Sequence, residues 1–281
     1  ITPGSFRNVS SIDILLLDRN EISSIEGNTF EGLSQLQVLD LSNNKLSHIS
    51  SSSFSGLSQL EQFFLNGNKL RRVTGDMFIG LHSLEILYLS GNEISTIDSN
   101  TFIDLQRVQV LSLSDNFLVQ LSPTLFHFLT YIRYIDLSDN SLTNIDKETF
   151  TSLNNLTHLS LQGNQLSQID NIDNLTLFRD LVQLTHLNLA SNYIGLLNDD
   201  KAFKGLISLI SLSLDGNRLN TLVPEIFKDL VNLNRLYLFD NQLSNLHVDL
   251  FQELRDLSEL WLHNNNLETL SPGTFRNLGK L

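Results

Sequence analysis

Apolar residues recur along the whole chain in one arrangement, L-x-x-L-x-L-x-x-N-x-L, followed by a further apolar residue, a Phe and a Leu. The L-x-x-L-x-L half alternates with a period of two, which predicts a short strand. In the copy VQVLSLSDNFL, Leu111 and Leu113 should therefore point inward, and the residues between them should point outward. The second half of each copy must return the chain to the start of the next strand.

The arrangement repeats every 24 residues, except that the copy starting at Leu156 has 28 residues and the copy starting at Leu184 has 25. The ninth position is always Asn, at Asn20, Asn44, Asn68, Asn92, Asn116, Asn140, Asn164, Asn192, Asn217, Asn241 and Asn265. The Phe position is equally regular, from Phe6 to Phe275. One copy cannot bury its apolar face alone, so stacked copies must share a continuous core, with parallel strands along one face.

These residues resemble the leucine-rich repeat family over the entire chain. The 24-residue, Phe-bearing unit is similar to the typical animal extracellular subclass, which includes Toll-like receptor ectodomains and variable lymphocyte receptors. The resemblance implies an α/β-type repeat fold, a curved horseshoe solenoid. Its concave face would carry a parallel β-sheet, and its convex face would carry irregular or short helical return segments.

The same resemblance predicts a single array over residues 1–281, although the length of 281 residues alone would suggest about two domains. About eleven full repeats start at Ile12, and residues 1–11 form a partial repeat. The opening ITPGSFRN aligns with LSPGTFRN near the C-terminus. We therefore expect both ends to be cut inside a longer array, with the family's terminal caps missing.

Composition excludes several classes of function. The net charge of −13 disfavours nonspecific binding to nucleic acid or to an anionic membrane. The chain has no cysteine, which rules out disulfides, thiolate nucleophiles and Cys-ligated metal sites. No P-loop, dinucleotide fingerprint or H-E-x-x-H motif occurs. We expect no enzymatic activity, no cofactor and no metal site, and no direct membrane contact within this chain.

The ninth-position Asn is expected to be structural. It falls where the strand ends and the chain turns, and its amide carries both donors and an acceptor. Stacked amides of this kind can satisfy backbone groups of the turn that would otherwise be buried without a partner. The sequence therefore predicts that Asn116 maintains the fold and is not part of a binding site.

Binding residues are expected at the third, fifth and seventh positions, whose side chains should face solvent. Exposed apolar patches mark interaction sites, and Tyr, Trp and Arg are enriched in interface hot spots. One predicted cluster contains Phe64, Ile86, Tyr88, Val110 and Tyr134. The other contains Arg235, Tyr237, Phe239, Trp261 and His263. The alternative is that strand positions favour aromatic and β-branched residues by propensity alone.

Two histidines, His158 and His186, occupy equivalent positions on adjacent predicted strands. Imidazole titrates near pH 6.5, so this pair could bind ligand or sense pH. The alternative is that both rings are simply solvated. A metal site is disfavoured because no third ligand is evident.

Three N-x-[ST] sequons, at Asn8, Asn155 and Asn174, fall outside the predicted strands and are candidate glycosylation sites. The two longer repeats carry QIDNIDNLTLFRD and GLLNDDKAF. These insertions represent either tolerated loop variation or a local bulge that serves ligand or dimer contact.

The function expected from these features is noncatalytic extracellular recognition. The concave face would bind a protein or a microbial glycan as part of an innate-immune-type receptor. The alternatives are a cell-adhesion, guidance or matrix interaction module and an intracellular scaffold. A homodimer is a further option, and nucleic acid is not favoured as a partner.

Overall fold

The computed structural model describes residues 1–169, 176–197 and 200–281. The chain is a parallel-strand β-solenoid of about ten turns, which confirms the predicted repeat architecture. It divides into two compact units, Ile1–Asp136 and Leu137–Leu281. Each strand of the main sheet covers the third to fifth positions of one repeat, so the third and fifth side chains lie on the outer face and the fourth lies in the core.

The first unit contains a parallel main sheet in which the strands follow one another in chain order. In that order they are β1 (Ile14–Leu16), β3 (Val38–Asp40), β5 (Gln62–Phe64), β7 (Ile86–Tyr88), β9 (Val110–Ser112) and β10 (Tyr134–Asp136). Four two-residue strands form two further parallel pairs, β2 (Ser24–Ile25) with β4 (His48–Ile49) and β6 (Arg72–Val73) with β8 (Thr96–Ile97). Residues at the same repeat position are paired in neighbouring strands, as Val110 is with Tyr134. Their side chains therefore form rows that run across the sheet from one repeat to the next.

The second unit has the same construction. Its described strands are β11 (His158–Ser160), β12 (His186–Asn188), β13 (Ser211–Ser213), β14 (Arg235–Tyr237) and β15 (Glu259–Trp261). They are parallel neighbours in that order, and the unequal lengths of the repeats do not shift the pairing. A single bridge between Leu197 and Leu222 is the counterpart of the short strand pairs in the first unit.

Leucine and phenylalanine fill the interior of each unit. The fourth-position and sixth-position leucines, such as Leu111 and Leu113, are fully buried. The repeat Phe side chains stack on one another, as do Phe102 and Phe126, whose ring centroids lie 6.4 Å apart. Phe63 replaces the usual fourth-position Leu and inserts edge-on beside this stack, 4.7 Å from the ring centroid of Phe54. The sequence pattern did not indicate that contact.

The ninth-position asparagines link consecutive turns. The amide nitrogen of Asn116 donates to the carbonyl oxygens of Leu89 and Leu113 at 3.0 and 3.1 Å, and its oxygen accepts from the N–H of Ile94 at 2.9 Å. The residue just before this Asn has a positive φ, 52° at Asp115 and 65° at Gly163. This left-handed conformation turns the chain sharply at the end of the strand.

The return segments differ from the expected short helices, because no described residue is helical. Besides the short strand pairs, they contain isolated turns closed by i→i+3 hydrogen bonds, such as the bond from the N–H of Leu33 to the carbonyl oxygen of Phe30. A glycine with positive φ interrupts several of these segments, for example Gly32 at 95°. A right-handed helix cannot continue through that conformation. The described part of the chain accordingly contains no apolar helix of membrane-spanning length.

Candidate functional site

Side chains at the third, fifth and seventh positions form the outer surface of each main sheet, which we call the strand face. In the first unit this face carries the N-terminal patch, defined as Phe64, Ile86, Tyr88, Val110 and Tyr134. The rings of Phe64 and Tyr88 stack with centroids 5.5 Å apart. All five side chains are half-buried by their neighbours in the rows. Burial raises the pKa of Tyr134, with smaller contributions from Asp136 and Tyr88.

The strand face of the second unit carries a denser aromatic group, the C-terminal patch, defined as Tyr237, Phe239, Trp261 and His263. Trp261 meets Tyr237 edge-on at 5.4 Å and Phe239 at 5.8 Å between ring centroids. Phe239 stacks on His263 at 4.7 Å, with 7° between the ring planes. The side chain of Trp261 remains 46% exposed. These four rings support one another and still present an apolar surface to solvent.

Sequence reasoning grouped Arg235 with this aromatic patch, but its guanidinium extends in the other direction. Its Nη2 lies 3.3 Å from Nε2 of His186. The rings of His158 and His186 stack at 4.3 Å with only 6° between their planes. The structure therefore assembles a separate group, the basic row, defined as His158, His186 and Arg235. Burial lowers the pKa of both histidines, and for His186 the neighbouring His158 and Arg235 lower it further.

Several residues beside these groups were not predicted from the sequence to be binding residues. Thr157 and Thr185 precede the two histidines, and each hydroxyl lies 2.9 Å from the adjoining ring Nδ1. Glu259 accepts a hydrogen bond from the Tyr237 hydroxyl at 3.2 Å. Burial raises the pKa of Asp215, whose carboxyl lies on the strand face of the second unit. The repeated Thr-His dipeptide was the only sequence feature that could have indicated any of these roles.

Asn8 and Asn155, two of the three sequon residues, are exposed and lie outside the main-sheet strands. Asn174 lies outside the described residues, as does much of both insertions, at residues 170–175 and 198–199. No group of three metal-ligating side chains occurs in the part of the chain that the structure describes.

Solved structures with similar folds include Toll. Toll from Drosophila, solved in complex with Spatzle, superposes with a TM-score of 0.81 and 25% sequence identity. That alignment covers 93% of this chain and 34% of the Toll chain, so this chain spans about a third of it. A leucine-rich repeat protein from Leptospira interrogans gives a TM-score of 0.76 and 25% identity, over 97% of this chain and 71% of that chain.

A Toll-like receptor 13 chain in complex with a single-stranded RNA aligns at 22% identity and a TM-score of 0.43, a superposition too poor to bear on fold or ligand. No curated protein sequence matches the chain significantly. The family model for the leucine rich repeat matches residues 10–70, 64–116, 106–166, 183–243 and 232–281, which together include most of the sequence. The chain belongs to the leucine-rich repeat family.

Proposed function

We propose that this protein is a receptor-like recognition module that binds a protein ligand through the C-terminal patch. Leucine-rich repeat proteins and the similar structures are generally noncatalytic interaction modules. The observation that carries the proposal is the group of four mutually packed rings around the half-exposed Trp261. Solvent-facing strand positions do not need such a group for solubility, whereas rigid aromatic side chains dominate interface hot spots.

The geometry of the patch favours binding because little order is lost when a ligand arrives. Edge-on and stacked contacts of this kind contribute about 0.5–1.5 kcal/mol each and hold the rings in place beforehand. Side chains fixed in advance avoid the entropy cost of ordering at an interface. The rigid edge of Trp261 would fill a shallow apolar depression on the partner.

Acidic groups border the patch and indicate the charge of the partner. Glu259 is held by the Tyr237 hydroxyl, and Asp240 accepts a hydrogen bond from Asn264 at 2.7 Å. The whole chain carries 31 acidic and 18 basic residues. We therefore propose a protein ligand whose contact surface is apolar where it meets the rings and basic where it meets Glu259 and Asp240, because such charge complementarity speeds association.

Screening the intact chain against arrays of secreted proteins and glycans would identify the ligand, and substitutions would then locate the site. Trp261→Ala and Tyr237→Ala should each weaken binding by about 2–4 kcal/mol, the range of interface hot spots. Tyr88→Ala in the N-terminal patch is the matched control and should leave affinity unchanged. Full affinity in a natively stable Trp261→Ala variant would refute this placement of the site. A screen in which only glycans bind would refute the choice of a protein ligand.

The similarity to Toll also supports an extracellular setting as part of this proposal. We propose that the chain is of the 24-residue animal subclass, and that residues 1–281 form one array because the repeat period continues through Asp136 unchanged. Secretion from animal cells followed by peptide mapping should find glycans on the exposed Asn8 and Asn155, and also on Asn174. Three unmodified asparagines after efficient secretion would contradict the glycosylation part of the proposal.

A further inference from the structure

Arg235 makes no ion pair with any carboxylate of the described residues, although acidic residues outnumber basic ones in the chain. Its direct neighbour in the strand register is Glu259, but that carboxylate accepts a hydrogen bond from Tyr237. The Nε of Arg235 is buried without a hydrogen-bond partner, and its Nη2 forms a hydrogen bond with Nε2 of His186. A guanidinium with a buried, unpaired N–H and no counterion is costly unless an acceptor arrives from outside the chain.

The hydrogen bonds around His186 define which ring nitrogen carries the proton. The hydroxyl of Thr185 donates to the carbonyl oxygen of Thr157 at 2.9 Å, so it accepts from Nδ1–H of His186. In the neutral ring Nε2 then has a free lone pair, which accepts from Nη2 of Arg235 at 3.3 Å. The network thus selects the neutral Nδ1–H tautomer in the absence of ligand.

Protonation of His186 reverses the role of Nε2. Its new N–H would face an N–H of Arg235 across the same short distance, and neither group could accept from the other. His158, on β11, stacks on the ring from one side. On the other side Ser211–Ser213 of β13 carries no charge, and Arg235 lies beyond it. Asp215 follows β13 but forms no ion pair with His186.

We propose that His186 and Arg235, flanked by His158, form a proton-gated oxyanion site on the strand face. The ligand group would be a carboxylate, phosphate or sulfate that accepts from Nε2–H of His186 and from the guanidinium of Arg235. Guanidinium matches such groups because its N–H donors are planar and fixed in a fork. Ser211 lies between His186 and Arg235 in the row, and its small side chain lets the guanidinium reach the imidazole, so that one oxyanion can contact both groups.

The site deepens the proposed function, since it lies on the same strand face of the second unit as the C-terminal patch. It does not depend on that patch, because a small anion suffices to occupy it. For a protein ligand, the site would add an acidic side chain or a phosphorylated or sulfated residue to the contacts made by the aromatic rings. Binding through this contact would strengthen in acid and weaken at neutral pH.

Calorimetric titration of the intact chain with sulfate, phosphate or acetate, at constant ionic strength, tests for this site. The titrations are made at about pH 5.5 and about pH 7.5, which lie on either side of the ordinary imidazole pKa of about 6.5. Sulfate keeps its charge over this range and binds together with one proton, so its affinity should fall about tenfold per pH unit above the pKa of His186. Acetate that binds as tightly as sulfate at about pH 5.5 would identify a carboxylate site. Binding of phosphate and sulfate alone would identify a site for phosphate or sulfate groups.

Three substitutions test the assignment, with circular dichroism to confirm folding. Arg235→Gln should abolish binding at both pH values. His186→Gln should leave only weak binding that no longer depends on pH. Arg276→Gln, at an exposed arginine already paired with Asp249, is the matched control and should bind as the unmodified chain does.

A direct measurement of the ring keeps the test independent of the variants. In nitrogen NMR spectra of the unmodified chain, added sulfate should raise the pKa of His186 and leave the ring nitrogen signals of His247 unchanged. Absence of both this shift and any calorimetric binding in acid would overturn the proposal, as would pH-independent binding. The Trp261→Ala experiment is run at neutral pH without added anion, so either proposal can fail while the other stands.

Discussion

Replacing Asn116 with alanine should destabilise the first unit strongly, although the side chain is small and carries no charge. Asn116 is 4% exposed and occupies the turn that follows β9. Its amide oxygen is the acceptor for the N–H of Ile94, for which the structure provides no other acceptor. The substitution therefore leaves a buried backbone donor without a partner.

The remaining hydrogen bonds determine the size of the effect. The carbonyl oxygen of Leu89 loses Asn116 but keeps the amide of Asn92 at 3.0 Å. The carbonyl oxygen of Ser114 likewise keeps the N–H of Gly91 at 2.9 Å. The unpaired donor costs about 1–3 kcal/mol, and weaker bonding of the carbonyls adds to that cost. We expect a total of about 2–3 kcal/mol, or roughly a 30- to 150-fold change in the folding equilibrium.

Urea unfolding followed by circular dichroism measures the total, and hydrogen exchange measures the local consequence. The amide of Ile94 should exchange faster in Asn116→Ala than in the unmodified chain. Asn20→Ala is the matched control, because Asn20 has the same repeat position but is exposed, and its partners Leu17 and Asp18 can bond to water. Its cost should be below about 1 kcal/mol.

Asn116→Asp separates hydrogen bonding from shape. A carboxylate of the same size has no N–H to donate and faces the carbonyl oxygen of Leu89, so burial beside that dipole should raise its pKa in the folded state. Because the pKa of the new carboxyl is higher in the folded than in the unfolded state, Asn116→Asp should be more stable in acid and should lose that stability as the pH rises through the folded pKa. The reasoning fails if Asn116→Ala costs less than about 0.5 kcal/mol and the Ile94 amide stays protected, or if Asn116→Asp is as stable as the unmodified chain at neutral pH.

Two further substitutions test other parts of the second unit. Gly163→Ala should cost about 1–2 kcal/mol in urea unfolding, because Gly163 has a φ of 65° and the added Cβ would collide with the Asp139 carboxylate. Gly279→Ala, with no atom within contact distance of the new Cβ, should be close to neutral; equal costs at both sites would contradict the explanation. Asp215→Asn should stabilise the protein near neutral pH, since burial raises the pKa of this carboxyl and, to a smaller extent, so does Asp240. Because the pKa of Asp215 is raised in the folded state, the ionised carboxylate destabilises the folded protein at neutral pH but not in acid. The stability gained by Asp215→Asn should therefore vanish below the unfolded pKa of about 3.9. A stability difference that persists below that pH would contradict this explanation.

Much of the fold was predictable because the repeat period constrains it. A strand of period two requires Leu111 and Leu113 to face inward, and stacking of equal units then places Val110 beside Tyr134. The nonhelical conformation of the described return segments was not predictable in the same way. It depends on backbone conformation at residues such as Gly32, where a positive φ replaces a helical turn.

The candidate site was predictable only to the level of which side chains face outward. The period places Trp261 and Tyr237 on the strand face, but their edge-on contact depends on rotamers that neighbouring side chains determine. The same limit applies to Asp215, whose raised pKa results from burial by residues distant in sequence. Ionisation and packing on an open sheet are properties of the surroundings of a residue, which its repeat position does not specify.

By itself, the sequence determined the repeat architecture, because units of about 24 residues with Leu, Asn and Phe in phase bury their apolar side chains by stacking on one another. Only the tertiary structure decided that Arg235 lies against His186 and not among the aromatic rings of the C-terminal patch. The two residues are 49 positions apart in sequence, and Ser211 separates them in the row. A long, flexible side chain can extend toward either neighbouring strand, and the choice depends on which atoms accept its hydrogen bonds. Here the Glu259 carboxylate already accepts a hydrogen bond from Tyr237, whereas Nε2 of His186 has a lone pair that can accept one from Arg235.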